Sequence, residues 1–174
     1  MMSKKRSHRS RSTAKPAVWL GTLGAVLFAV LAGAIWLGQP DEAVADADIV
    51  VYKTPSCGCC SLWVDHLRDN GFSVAVKNVR STRTTQMKYG VPSQMGSCHT
   101  AVVGDYWVEG HVPADLIRQL MTERPADIQG IAVPGMPMGS PGMEGPNPQT
   151  YDVVAVQTDG ETRVYATREG REKP

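Results

Sequence analysis

DIVVYKTPSCGCCSLWVDHLRDNG, residues 48–71, passes from a β-branched run into a helical pattern and puts three cysteines at the joint. DIVVYKT (48–54) predicts a strand, being apolar, β-branched and closed by Pro55. Beyond it, Cys60, Val64 and Leu67 recur at helical spacing and predict a helix with one buried stripe. Ser56 is its expected cap and Gly71 its left-handed stop. Cysteines therefore stand at a helix N-terminus, where unpaired N–H groups and the helix dipole favour the thiolate, which is both nucleophile and metal ligand.

Cys57 and Cys60 have the spacing of a redox disulfide, but Cys59 lies between them and complicates that reading. It points about 100° around the helix from Cys60. A loose first turn, which Gly58 permits, would let all three sulfurs border one cavity.

Outward from this unit, FSVAVKNV (72–79) alternates as a second strand and STRTTQMKYG (81–90) reads as a short helix. VPSQMGSCH (91–99) is a loop. TAVVGDYWVEG (100–110) reads as a hairpin turning at Gly104-Asp105. VPADLIRQLMTER (112–124) is a helix with Pro113 in its first turn and Leu116, Leu120 and Met121 on one face. The order strand–helix–strand–helix–strand–strand–helix predicts a small mixed α/β sheet with flanking helices. With Cys-x-x-Cys opening the first helix, that layout resembles the thioredoxin fold. Two pieces extend it: the loop IAVPGMPMGSPGMEGPNPQ (131–149), dense in Gly, Pro and Met, and a β-hairpin over 151–169 turning at Asp159-Gly160.

The fourth cysteine, Cys98, precedes the strand TAVV, where thioredoxin-like proteins bring a loop against the active-site helix and normally place a proline. Here Ser97-Cys98-His99 sets a thiol and an imidazole opposite the first three cysteines. Four soft ligands in one pocket suit Cu(I), Zn(II) or an iron–sulfur cluster. Two rivals stand beside a metal site. One is a pair of structural disulfides, Cys57–Cys60 and Cys59–Cys98. The other is a thiol–disulfide enzyme using Cys57 as nucleophile and Cys60 as resolving thiol.

Met136 and Met138, with Met143, sit in a segment whose prolines and glycines keep it at the surface. They either plug an apolar groove or offer thioethers to a soft metal, Cu(I) above all. His99 is a ligand or a bystander on its strand. His111 is a ligand or a hydrogen-bonding group at a helix entry. His66 reads as facing solvent on the first helix, and His8 lies in the N-terminal tail.

The N-terminus is of another kind. Residues 1–16 carry Lys4, Lys5, Arg6, Arg9, Arg11 and Lys15 and no acid, leaving 12 basic against 17 acidic side chains in the remainder. That body has no electrostatic case for nucleic acid. AVWLGTLGAVLFAVLAGAIWLG (17–38) has no charge and is long enough to cross a bilayer. The basic tail before it keeps the N-terminus cytoplasmic. Ala43-Val44-Ala45 offers the rival reading, a cleaved signal. Either way the body lies outside the inner membrane, for a bacterial chain in the periplasm, where disulfides persist. The expected organisation is a basic cytoplasmic tail (1–16), an anchor or signal (17–38), a tether (39–47), a thioredoxin-like metal-binding domain (48–130) and an extension packed on it (131–169).

YKTPSCGCC (52–60), VEGHVPAD (108–115) and AVPGMPMGSPGME (132–144) together resemble the CopG-type copper-resistance proteins of Gram-negative bacteria, over roughly residues 48–166. The resemblance implies a thioredoxin-like periplasmic protein that holds copper, with the C-terminal extension helping, and an oxidoreductase-like role in handling Cu(I) and Cu(II). Carried over by position, Cys57, Cys59 and Cys60 are the CxCC ligands, with Cys98, Met136 and Met138 as companions from the matching loops. The expected function is copper sequestration, with redox interconversion and more than one copper per chain. The alternatives are a thiol–disulfide oxidoreductase and a structural zinc-binding interaction domain. The implied partners are copper ions and periplasmic copper chaperones or efflux components, for a monomer held at the inner membrane.

Overall fold

The computed structural model describes residues 46–170; the expected tail, membrane span and most of the tether lie outside them. Among the described residues no helix is long and apolar enough to cross a membrane.

β1 (Ile49–Lys53) runs into α1 (Gly58–Asp69), which returns through Gly71, at φ 81°, into β2 (Val74–Asn78). α2 (Arg83–Lys88) and a 3-10 turn (Ser93–Met95) lead to β3 (His99–Val103) and β4 (Tyr106–Glu109). The β3–β4 turn uses the left-handed backbone of Gly104, as its sequence predicts. α3 (Ala114–Glu123), β5 (Ile128–Ala132), β6 (Thr150–Gln157) and β7 (Thr162–Glu169) complete the chain.

The sheet order is β2-β1-β3-β4-β5-β6-β7. β1 and β2 are parallel, β1 and β3 antiparallel, and β3 and β4 antiparallel. This is the thioredoxin-like arrangement the sequence leads one to expect, a βαβ unit beside a ββα unit. The extension continues the same sheet. β5 joins β4 in parallel, and the β6–β7 hairpin adds antiparallel strands beyond it.

β5 is a strand the sequence reading missed. It crosses the expected boundary at 130/131, so Ile131 and Ala132 belong to the sheet and the loop begins at residue 133. Gly130 hides the strand in the sequence, since it has no side chain to show an alternation. The structure requires it: a Cβ there would overlap the Trp107 indole and carbonyl on β4.

The core sits where α1 and α3 cover one face of the sheet. Trp63, Val64 and Leu67 from α1 and Leu116, Ile117 and Leu120 from α3 pack on Ile49, Val51, Ala101, Val103, Val108 and Ile131. Trp63 was not part of the predicted stripe, yet it is fully buried and anchors α1 through a 2.8 Å bond from Nε1–H to the Val112 carbonyl. A smaller cluster, Val91, Met95, Trp107, Ala132 and Val156, is separate from it. Since side chains alternate between faces, Lys53 and His99, directly paired across β1 and β3, both turn towards α1.

Candidate metal centre

Cys57, not Ser56, caps α1. Its backbone is extended, at φ −76° and ψ 99°, and its sulfur accepts the Cys60 N–H at 3.3 Å. The cap thus points a sulfur at the helix end, where Cys60 returns one turn later and is fully buried. The two form a disulfide. Cys59 and Cys98 are free thiols, so the second disulfide weighed from the sequence does not form.

The Cys59 sulfur lies 3.6 Å from that of Cys57. Cys98 arrives from the other side of the site, its carbonyl 3.6 Å from the Cys60 sulfur. The sulfurs of Cys57, Cys59, Cys60 and Cys98 all lie within 4.8 Å of one another. The structure therefore gathers the four predicted cysteines in one place. Reduction of the Cys57–Cys60 bond would release two thiols there.

The Cys98 sulfur also belongs to a second group, with His99 and His111, whose donor atoms lie within the same 4.8 Å. Both histidines are fully buried, and their tautomers follow from their outer partners. His99 donates its Nε2–H to the Gly110 carbonyl at 2.9 Å, which leaves the Nδ1 lone pair 3.4 Å from the Cys98 sulfur. His111 donates its Nδ1–H to the Pro141 carbonyl at 2.7 Å, which leaves the Nε2 lone pair 3.5 Å from the same sulfur. The single Cys98 S–H can satisfy only one of them at a time.

The electrostatics fit this picture. Burial, helped by His111 and Lys53 nearby, holds the His99 pKa down at about 3, against the Gly110 carbonyl, so the ring is neutral at physiological pH. Burial lowers that of His111 too, against the Pro141 carbonyl and Glu144. Burial and the neighbouring Cys59 push the Cys98 thiol up to about 11, so without metal it keeps its proton. A soft cation would displace that proton and meet a thiolate flanked by two neutral imidazoles. Trp63 covers the inner side, its ring centroid 4.3 Å from that of His99.

The loop after β5 reaches the site through its backbone, at Pro141 and Gly142. Pro141 supplies the carbonyl for His111. Gly142, at φ 81°, lies so close to α1 that a Cβ would stand 2.8 Å from the Trp63 nitrogen and 2.9 Å from the Cys59 carbonyl. The predicted methionines have other surroundings. Met136 is 41% exposed, with φ 48°. Met138 is half-buried, its sulfur beside Gly145 and its backbone paired with Gln149. His66 does not face solvent as expected: its Nε2 accepts the Ala114 N–H at 3.1 Å and caps α3, and burial lowers its pKa.

Sequence reasoning missed two residues behind Cys98. Glu109 is fully buried at the end of β4, and its Oε1 accepts the Ser97 N–H at 2.6 Å and the Gln86 side-chain amide at 2.7 Å. An acid closing the run YWVE reads as the exposed end of a strand, and nothing local marks it as a core group.

A thioredoxin-like domain with four sulfurs, and two neutral imidazoles beside them, gathered around the head of its first helix has the donor set of a soft-metal-binding protein. Two solved structures described as copper resistance protein copG, in forms 1 and 2, match this chain at 44% identity with TM-scores of 0.65. The matches cover 69% of this chain and 96% of the form 2 chain or 95% of the form 1 chain. The chain belongs to the CopG copper-resistance family. Residues 95–143, which hold Cys98, both site histidines and most of the Met-rich loop, match a family described as protein of unknown function, DUF411. No curated protein matches the chain.

Proposed function

We propose that this protein takes up copper in the periplasm, holding it as Cu(I) through Cys57, Cys59, Cys60 and Cys98 with His99 and His111 completing the site. The carrying observation is the convergence of the four sulfurs within 4.8 Å, with two imidazole lone pairs on Cys98. Copper here is cargo. Thiolates favour Cu(I) among common ions, and a shared sulfur between the four-cysteine set and the Cys98–His99–His111 set suits more than one ion per chain. Met136 and Met138, on the loop that touches the site, are the thioether stations proposed to receive Cu(I) when the loop lifts.

Redox interconversion follows from the same sulfurs. Cys57 and Cys60, when reduced, can give up two protons and two electrons to form their disulfide, while two Cu(II) ions take one electron each and become Cu(I). The two free thiols and the imidazoles then remain to hold the product. The uncharged run 17–38 supports placement in the periplasm at the inner membrane, with copper chaperones or efflux components as the partners that deliver or remove the metal.

The test is anaerobic titration of the reduced full-length chain with Cu(I), followed by elemental analysis and thiolate-to-copper charge-transfer absorption. More than one copper per chain, with both signals lost in Cys59→Ser and Cys98→Ser, is the expected result. One redox-inert Zn(II) per chain would instead support the structural-zinc reading. The Cys57–Cys60 disulfide favours one rival, thiol–disulfide exchange. That rival predicts exchange activity untouched by either substitution and no tight copper.

A further inference from the structure

Cys98 is delivered by residues 96–98, between the 3-10 turn and β3, where the chain makes no ladder. A sulfur on an unpaired loop has no fixed place unless something holds its backbone.

What holds it is a closed polar ring. The Ser97 N–H donates to Glu109 Oε1 at 2.6 Å. The Ser97 carbonyl, part of the peptide leading into Cys98, accepts from Gln86 Nε2 at 3.1 Å. Gln86 Nε2 also donates to the same Glu109 oxygen at 2.7 Å. Both backbone groups of Ser97 are thus held by two side chains that are bonded to each other. One comes from α2, before the loop in the chain, and the other from the end of β4, after it. Gly110 lets the ring close, since a Cβ there would stand 3.1 Å from the Ser97 hydroxyl and 2.6 Å from the Val133 carbonyl. Two side chains bonded to each other and to both backbone groups of Ser97 leave that peptide little freedom, which is what positioning requires.

We propose that Gln86 and Glu109 are positioning residues for copper: their clamp on Ser97 keeps the Cys98 sulfur within reach of the other three. The inference rests on the copper reading above. Groups that orient a ligand in this way typically account for about 10- to 100-fold in metal affinity.

The test uses the full-length chain carrying Gln86→Ala, Glu109→Gln or no substitution, with urea denaturation to establish that each is folded. Cu(I) affinity is measured by competition with a Cu(I) chelator. In parallel, mass spectrometry follows iodoacetamide alkylation of Cys98 relative to Cys59 in metal-free protein, where Cys57 and Cys60 remain disulfide-bonded. Gln86→Ala is expected to weaken copper about 10- to 100-fold and to speed Cys98 alkylation relative to Cys59. Glu109→Gln keeps an oxygen facing both donors and is expected to stay near wild type in both. If wild type binds no copper, the copper reading fails, and the alkylation ratio still decides the clamp. An unchanged alkylation ratio in Gln86→Ala overturns the proposal, whether or not affinity falls.

Discussion

Replacing Gly142 with alanine tests whether the loop after β5 is a working part of the site. Two costs fall on the closed loop. An alanine at φ 81° occupies left-handed backbone, at about 1–2 kcal/mol. Its Cβ also meets helix backbone, 2.8 Å from the Trp63 nitrogen and 2.9 Å from the Cys59 carbonyl, an overpacking cost of about 1–3 kcal/mol. Neither atom is a flexible side-chain end, so the loop must yield rather than α1, which the buried Trp63 anchors. The sum, about 2–5 kcal/mol, disfavours the closed loop by about 30-fold at the least. The loop closes on itself through Gly139 N–H to the Met143 carbonyl and Met143 N–H to the Ser140 carbonyl, both 2.8 Å. Hydrogen exchange on the full-length chain should therefore show those two amides exchanging about 30-fold faster or more, with the strands unchanged. His111 would lose the Pro141 carbonyl that fixes its tautomer, and Cu(I) affinity should fall about 10- to 100-fold. Wild-type protection at Gly139 and Met143 together with wild-type affinity would refute the reasoning.

Three further outcomes are expected. Gly130→Ala should destabilise the whole domain by about 3 kcal/mol or more, read as a lower urea midpoint, because the added Cβ meets the Trp107 ring and backbone inside the sheet. Metal-free protein should lose stability on acidification: the folded pKa of His99, about 3, lies below its unfolded value of 6.5, so the unfolded chain binds the proton first. This contribution is complete above pH 6.5 and falls by about 2 kcal/mol by pH 5, with His66 and His111 acting in the same direction; urea denaturation at the two pH values measures it. Raising the pH above 9 should also destabilise the metal-free fold, because the unfolded Cys98 thiol ionises near 9 while the folded one holds its proton to about 11.

Much of this architecture is legible because local pattern and tertiary environment agree. The stripe Cys60, Val64 and Leu67, the Gly71 stop and the Gly104-Asp105 turn are written in residues whose chemistry matches their place. β5 is not, because Gly130 trades a strand former for room beside Trp107. Of the residues the structure gathers, Cys57, Cys59 and Cys60 are legible from their spacing and Cys98 from its place just before the strand that starts near residue 100. The rest depends on distant partners: His99 and His111 owe their tautomers to Gly110 and Pro141, and His66 turns inward to cap a helix 48 positions later in the chain. Glu109 looks like an ordinary strand end until the Ser97 loop closes over it.

X-ray absorption at the copper edge of the Cu(I)-loaded full-length chain, wild type against Cys98→Ser, bears most directly on whether four sulfurs act as one centre. Our account predicts a sulfur-dominated shell with neighbouring copper in wild type, and loss of the copper neighbours with fewer ions bound in the variant. A shell of nitrogen and oxygen only, or a spectrum that Cys98→Ser leaves unchanged, would contradict it.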